Sequence, residues 1–173
     1  MGACPPGTPM SAASDPNALP SLPLQLPAGL QQTHHALRTM LERLNQLASD
    51  IADAGLTPEV RKEAAALHAW FTQEPAQHHA EEEEHVFPRL LASGDADLVH
   101  LARRLIADHG WLDVNWKQIA PSLLAAKDNY QWFQPAELIA AVRLFTRMHE
   151  EHMELKETQV FAAAFGPGAQ QSD

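Results

Sequence analysis

Four histidines stand where a helix would normally pack a leucine: His34, His78, His109 and His152. Each falls in a separate run of apolar residues spaced three and four apart, so each faces the interior of whatever those runs build. One interior imidazole is commonly a hydrogen-bonded core residue. Four directed at one core are another matter, because each unpaired imidazole there costs about 1–3 kcal/mol of lost hydration. A metal ion is the natural collector. Neutral imidazole is the commonest side-chain metal ligand, and imidazole together with carboxylate suits iron, zinc or manganese. The carboxylate is Glu82, four residues after His78 and so one helical turn along the same face. Glu81, Glu83 and Glu84 beside it read as a solvated face. His79 and His85 are expected to flank the site or face solvent, and His68 and His100 fall off the apolar stripes.

The elements that must position these groups follow from the same stripes. The first is Leu30, Leu37, Leu41, Leu44, Ala48 and Ile51, with His34 in its gap, and Gly55 ends it. Thr57, Pro58 and Glu59 then read as N-cap, first-position proline and first-turn acid of a second helix. Its stripe is Val60, Ala64, Leu67 and Phe71, continuing onto His78 and Glu82; Pro75 is expected to kink it or start a new segment, and Pro88 and Gly94 to close it. Asp95 or Asp97 caps a third helix carrying Leu98, Leu101, Leu105, His109, Leu112, Trp116 and Ile119, with Trp111 and Trp116 both expected in the core. Pro121 and the polar stretch through Gln134 read as the next connection. Pro135 opens a fourth helix with Leu138, Val142, Phe145, His149, His152 and Lys156, ending near Phe165-Gly166-Pro167. No strand pattern competes. The chain is therefore expected to be all-α, an antiparallel up-down four-helix bundle over residues 29–166.

Composition narrows the function. With 12 Lys+Arg against 22 Asp+Glu, the formal charge of −10 argues against a nucleic-acid or anionic-membrane surface. One cysteine excludes a disulfide framework and a thiolate zinc site. No apolar run approaches the roughly 18 residues of a membrane helix. Residues 1–28 hold seven of the thirteen prolines and are expected to form a disordered arm, and 167–173 a flexible tail. The arm has neither the basic start nor the apolar stretch of an export signal, so the cytoplasm is the default expectation.

The segments HHALRTML at 34–41, HHAEEEEHVFPRL at 78–90, IADHGWL at 106–112 and HEEHMELKETQVF at 149–161 resemble the hemerythrin-like (HHE cation-binding) proteins. The likeness covers roughly residues 29–165 and follows the family's order of one His, then HxxxE, one His, then HxxxE. It implies a bundle around two non-haem irons bridged by carboxylates, with His34, His78, His109 and His152 as ligands and Glu82 as a bridge. Such sites bind oxygen, or nitric oxide in some members; others are linked to repair of damaged iron centres. A ferritin-like site, which needs two ExxH motifs, is set aside because Glu82-x-x-His85 is the only one.

The second HxxxE is broken. Lys156 stands four residues after His152, where the family places its second bridging carboxylate, and Glu157 follows one residue later. Three arrangements are open. Glu157 substitutes, which requires the helix to turn or bulge because a five-residue step rotates it about 140° from His152. Alternatively, Lys156 points inward and pairs with Glu82, its ammonium replacing one metal charge, with His149 as a replacement ligand and one metal or none bound. Or Lys156 snorkels outward. The expected metal set is thus His34, His78, Glu82, His109, His152 and Glu157, with His149 as a replacement ligand. The function read from it is a binding protein for oxygen or nitric oxide in sensing, scavenging or delivery. The alternatives are a di-iron enzyme or iron donor, and a metal-free interaction module.

Overall fold

The computed structural model describes residues 28–160. The proline-rich arm, the tail and the expected end of the last helix near Phe165 lie outside the described residues. Within them the chain is helical, with no strand. Helix α1 spans Ala28–Ala54, α2 Pro58–His85, α3 Phe87–Leu91, α4 Ala96–Lys127 and α5 Pro135–Leu155, and α5 runs on into a π-helical turn, Lys156–Val160. The long helices close a ring: α1 packs on α2, α2 on α4, α4 on α5 and α5 back on α1. This is a four-helix bundle, with α3 as a short turn in the α2–α4 connection.

Local chemistry sets the helix ends. Gly55 takes a left-handed conformation (φ 72°) that closes α1. The Thr57 hydroxyl accepts from the Val60 amide at 3.3 Å and starts α2 with Pro58 behind it. Asp95 caps α4 by accepting from the Asp97 and Leu98 amides at 2.9 and 3.3 Å.

Neither Pro75 nor Pro121 breaks its helix. Helix α2 runs through Pro75, and α4 runs through Pro121 to Lys127, so the expected connection begins only at Asp128. A proline inside a helix costs about 3 kcal/mol. The turns beyond Pro121 repay it by placing Leu123, Ala125 and Ala126 in the core. Beyond Pro75, α2 carries His78 and Glu82 to the interior. Trp111 also departs from expectation, for it is 61% exposed while Trp116 is buried. The buried stripe of α4 passes through Leu112, and a one-residue step turns the neighbouring side chain about 100° away from it.

The core has two parts. The larger runs from Leu37 through Ile51, Val60 to Phe71, Trp116 to Ala126 and Phe133 to Phe145, with Met153 further along α5. The smaller joins Phe87, Leu90, Leu101, Ala102, Leu105 and Val160. Along α2 and α4 the interior histidines fall between these two clusters, and on α5 His149 and His152 fall between Phe145 and Met153 of the larger one. A polar layer thus divides an otherwise apolar bundle.

Candidate metal centre

The layer is assembled from every long helix. His34 comes from α1, His78, His79 and Glu82 from α2, His109 from α4, and His149 and His152 from α5, with Lys156 opening the π turn. All but His79 are buried, and His79 is half-buried. They sort into two groups. One ligand atom from each of His79, His109 and His152 lies within 4.8 Å of the others, and the same holds for His34, His78 and Glu82.

The first group has the donors of a metal site and little else to satisfy them. Among the described residues, His109 Nε2 and both ring nitrogens of His152 find no hydrogen-bond partner. The carboxylate of Asp108 stands 3.7 Å from His152 Nδ1, beyond hydrogen-bond range. Glu83 holds His109 from behind, accepting at 2.8 Å on Nδ1 and so directing Nε2 inward. A carboxylate on the outer nitrogen is the usual support for a metal-ligating imidazole. The ring of His79 stacks on that of His109 at 3.8 Å, and His152 lies edge-on to both at 5.8 and 4.9 Å. Metal–nitrogen bonds of about 2.0–2.1 Å separate tetrahedral donors by about 3.4 Å, so the tripod closes on one ion once the stacked rings of His79 and His109, now 13° from parallel, turn out of the stack.

The second group already holds a cation. Lys156 Nζ donates to Glu82 Oε1 at 2.8 Å and Oε2 at 3.1 Å, and lies 3.2 Å from His78 Nε2. An ammonium can only donate, so His78 Nε2 accepts and its proton sits on Nδ1. The ring of His34 meets that of His78 edge-on at 5.7 Å. Glu82 joins the two groups, since its Oε2 also lies 3.3 Å from His109 Nε2.

Burial shapes the charges. It lowers His78 to about 4, His149 to about 3 and His79 to about 2, and pushes His34 and His152 down as well. All five imidazoles are therefore neutral near pH 7, the form that ligates metal. Burial alone would raise the Glu82 carboxyl, but His109, Lys156 and His78 hold it far below the usual carboxylate range. The Lys156 ammonium is lowered by burial, against the pull of Glu82.

Lys156 therefore points inward, and neither the outward course nor direct substitution by Glu157 describes the structure. Glu157 accepts from His34 Nδ1 and from Arg38, both at 2.8 Å, and holds His34 from the outside. The helix does widen here, into the π turn, but this leaves Glu157 behind the imidazole and outside both groups. His149 also belongs to neither. Its ring abuts Phe145 at 4.5 Å, edge to face, and neither nitrogen has a hydrogen-bond partner among the described residues. His79, which the stripe leaves at its flank, enters the first group because α2 packs on α1 with one face and on α4 with the next. His78 turns to His34 and His79 to His109.

A cavity of about 330 Å³ reaches the first group between α2, α4 and α5. Phe71, Pro75, Trp116 and Phe145 form apolar walls, His79, His109 and His149 line it toward the site, and exposed Thr72, Glu83 and Asp113 lie at its rim. No helix among the described residues is long and apolar enough to cross a membrane. A family model described as the hemerythrin HHE cation binding domain matches residues 27–164. No curated protein and no solved structure matches the chain.

Proposed function

The chain belongs to the hemerythrin HHE cation-binding family, and from that premise we propose that it is a non-haem iron protein that binds oxygen or nitric oxide. His79, His109 and His152 hold the ion, and the small ligand reaches it through the cavity beside them. The observation that carries this reading is the pair of buried His152 ring nitrogens that have no hydrogen-bond partner among the described residues, with a ligand atom each of His79, His109 and His152 within 4.8 Å of one another. Left bare, each would cost about 1–3 kcal/mol; coordination removes that cost.

A ferrous ion with three imidazole ligands supplies open coordination positions and an electron for binding a diatomic molecule. The protein supplies the rest. Glu83 orients His109, and Glu82 presents a carboxylate oxygen at the edge of the tripod. Phe71, Trp116 and Phe145, whose rings lie 5.3–5.9 Å apart, keep the approach apolar and limit water.

The test is a titration of the anaerobic ferrous protein with nitric oxide, then with oxygen. A new visible absorption band saturating at one nitric oxide per chain, and abolished in His109→Ala, is the expected result. No band with either gas overturns the reading.

A further inference from the structure

We propose that Lys156 is a built-in cation occupying the place of a second metal ion, so that the chain holds one ion in the His79 group and none in the His34 group. This rests on the reading that the His79 group binds metal.

The donor set around Nζ is the one a metal would use. Both oxygens of Glu82 and Nε2 of His78 converge on it, inside a group whose third member is His34. Their distances, 2.8–3.2 Å, are those of an ammonium, whereas a transition-metal ion needs about 2.0–2.2 Å to the same atoms. Ion and ammonium cannot share the position, so the His34 group does not fit a metal as it stands.

Charge makes the exchange equivalent. A bridging carboxylate at position 156 with a divalent ion beside it contributes −1 and +2, a net +1. Lysine at 156 contributes the same +1 by itself. Glu82 thus keeps a cation on one side and the open tripod on the other, and the layer needs no second metal to balance it.

The backbone fixes the substitute in place. Lys156 begins the π turn, its amide bonded to the carbonyls of His152 and Met153, and its side chain is 3% exposed. Glu157, the remaining carboxylate of the motif, is spent behind His34 with Arg38. That contact holds His34 in the same layer without asking it to bind an ion.

The experiment is metal analysis by mass spectrometry on the full chain after anaerobic loading with excess ferrous iron and desalting. One iron per chain is expected, unchanged in His34→Ala and lost in His109→Ala. Two per chain overturn the inference and leave the reading of the His79 group standing; none overturns that reading and the inference with it. One iron that is lost in His34→Ala but kept in His109→Ala places the ion where Lys156 is said to stand, and overturns the inference. Lys156→Glu restores the carboxylate and is expected to raise the count to two. A folded Lys156→Glu chain, judged by its circular dichroism, that stays at one refutes the claim that the ammonium excludes the second ion. If that variant does not fold, the wild-type count and the histidine variants decide alone.

Discussion

Replacing Lys156 by methionine in the metal-free protein should expose how strongly the ammonium and Glu82 depend on each other. Methionine keeps most of the side-chain volume, so the loss is chiefly that of charge. Both partners are 3% exposed, and removing one strands a buried carboxylate, a change that costs about 3–5 kcal/mol. Glu82 can escape by taking a proton. From its ordinary value of 4.5, doing so at about pH 7.5 costs about 4.1 kcal/mol at 1.36 kcal/mol per unit, which agrees with that range. At roughly 2–4 °C per kcal/mol for a chain of this size, Lys156→Met should melt about 6–20 °C lower. The penalty should shrink by about 1.4 kcal/mol for each unit the pH is lowered toward 5, because protonation becomes easier. Glu82→Gln combined with Lys156→Met should recover most of the loss, since a buried pair removed together leaves no orphaned charge. Urea and thermal unfolding with chelator present, followed by circular dichroism, give all three numbers. A single variant as stable as wild type, or a double variant no better than the single, would refute the reasoning.

The buried imidazoles make the metal-free protein acid-sensitive. His78 and His149 titrate at about 4 and about 3 when folded but near 6.5 when unfolded, so unfolding takes up protons below pH 6.5. Their contribution is fully present above pH 6.5 and is lost as the pH falls toward 4, by about 1.4 kcal/mol per unit for each group. Urea midpoints that stay constant between pH 7 and 5 would contradict this. Removing iron with a chelator should lower the melting temperature by linkage, and His109→Ala should melt at the same temperature with or without iron. Ala76, exposed at the cavity, offers a way to obstruct it: Ala76→Trp should slow nitric oxide binding at least severalfold in stopped flow while leaving the iron count unchanged.

Much of this was legible in the chain because the helical period is so regular. Leu41, Leu44, Ile51, Leu67, Leu105, Ile119 and Val142 are buried where their spacing puts them, and the interior histidines occupy the same register. Pro121 was misleading as the start of a connection, and Pro75 starts no new segment. Pro75 and Pro121 each cost a helical hydrogen bond, yet tertiary burial further along the helix outweighs that local preference, a balance that only packing reveals. His79 was hidden for a geometric reason. A one-sided stripe assigns α2 a single inner face, whereas in the bundle α2 meets α1 and α4 at once, and adjacent residues serve different neighbours. Lys156 and Glu157 were ambiguous because the π turn that sorts them carries no sequence signal of its own. Their side chains are decided by which partners wait at that depth: Glu82 and His78 for one, His34 and Arg38 for the other.

The most direct measurement is anomalous diffraction at the iron edge from a crystal of the iron-loaded protein. A single peak ligated by His79, His109 and His152, with Lys156 still on Glu82, is the predicted result. A peak between His34 and His78 with the lysine displaced, or two peaks of equal height, would contradict the account.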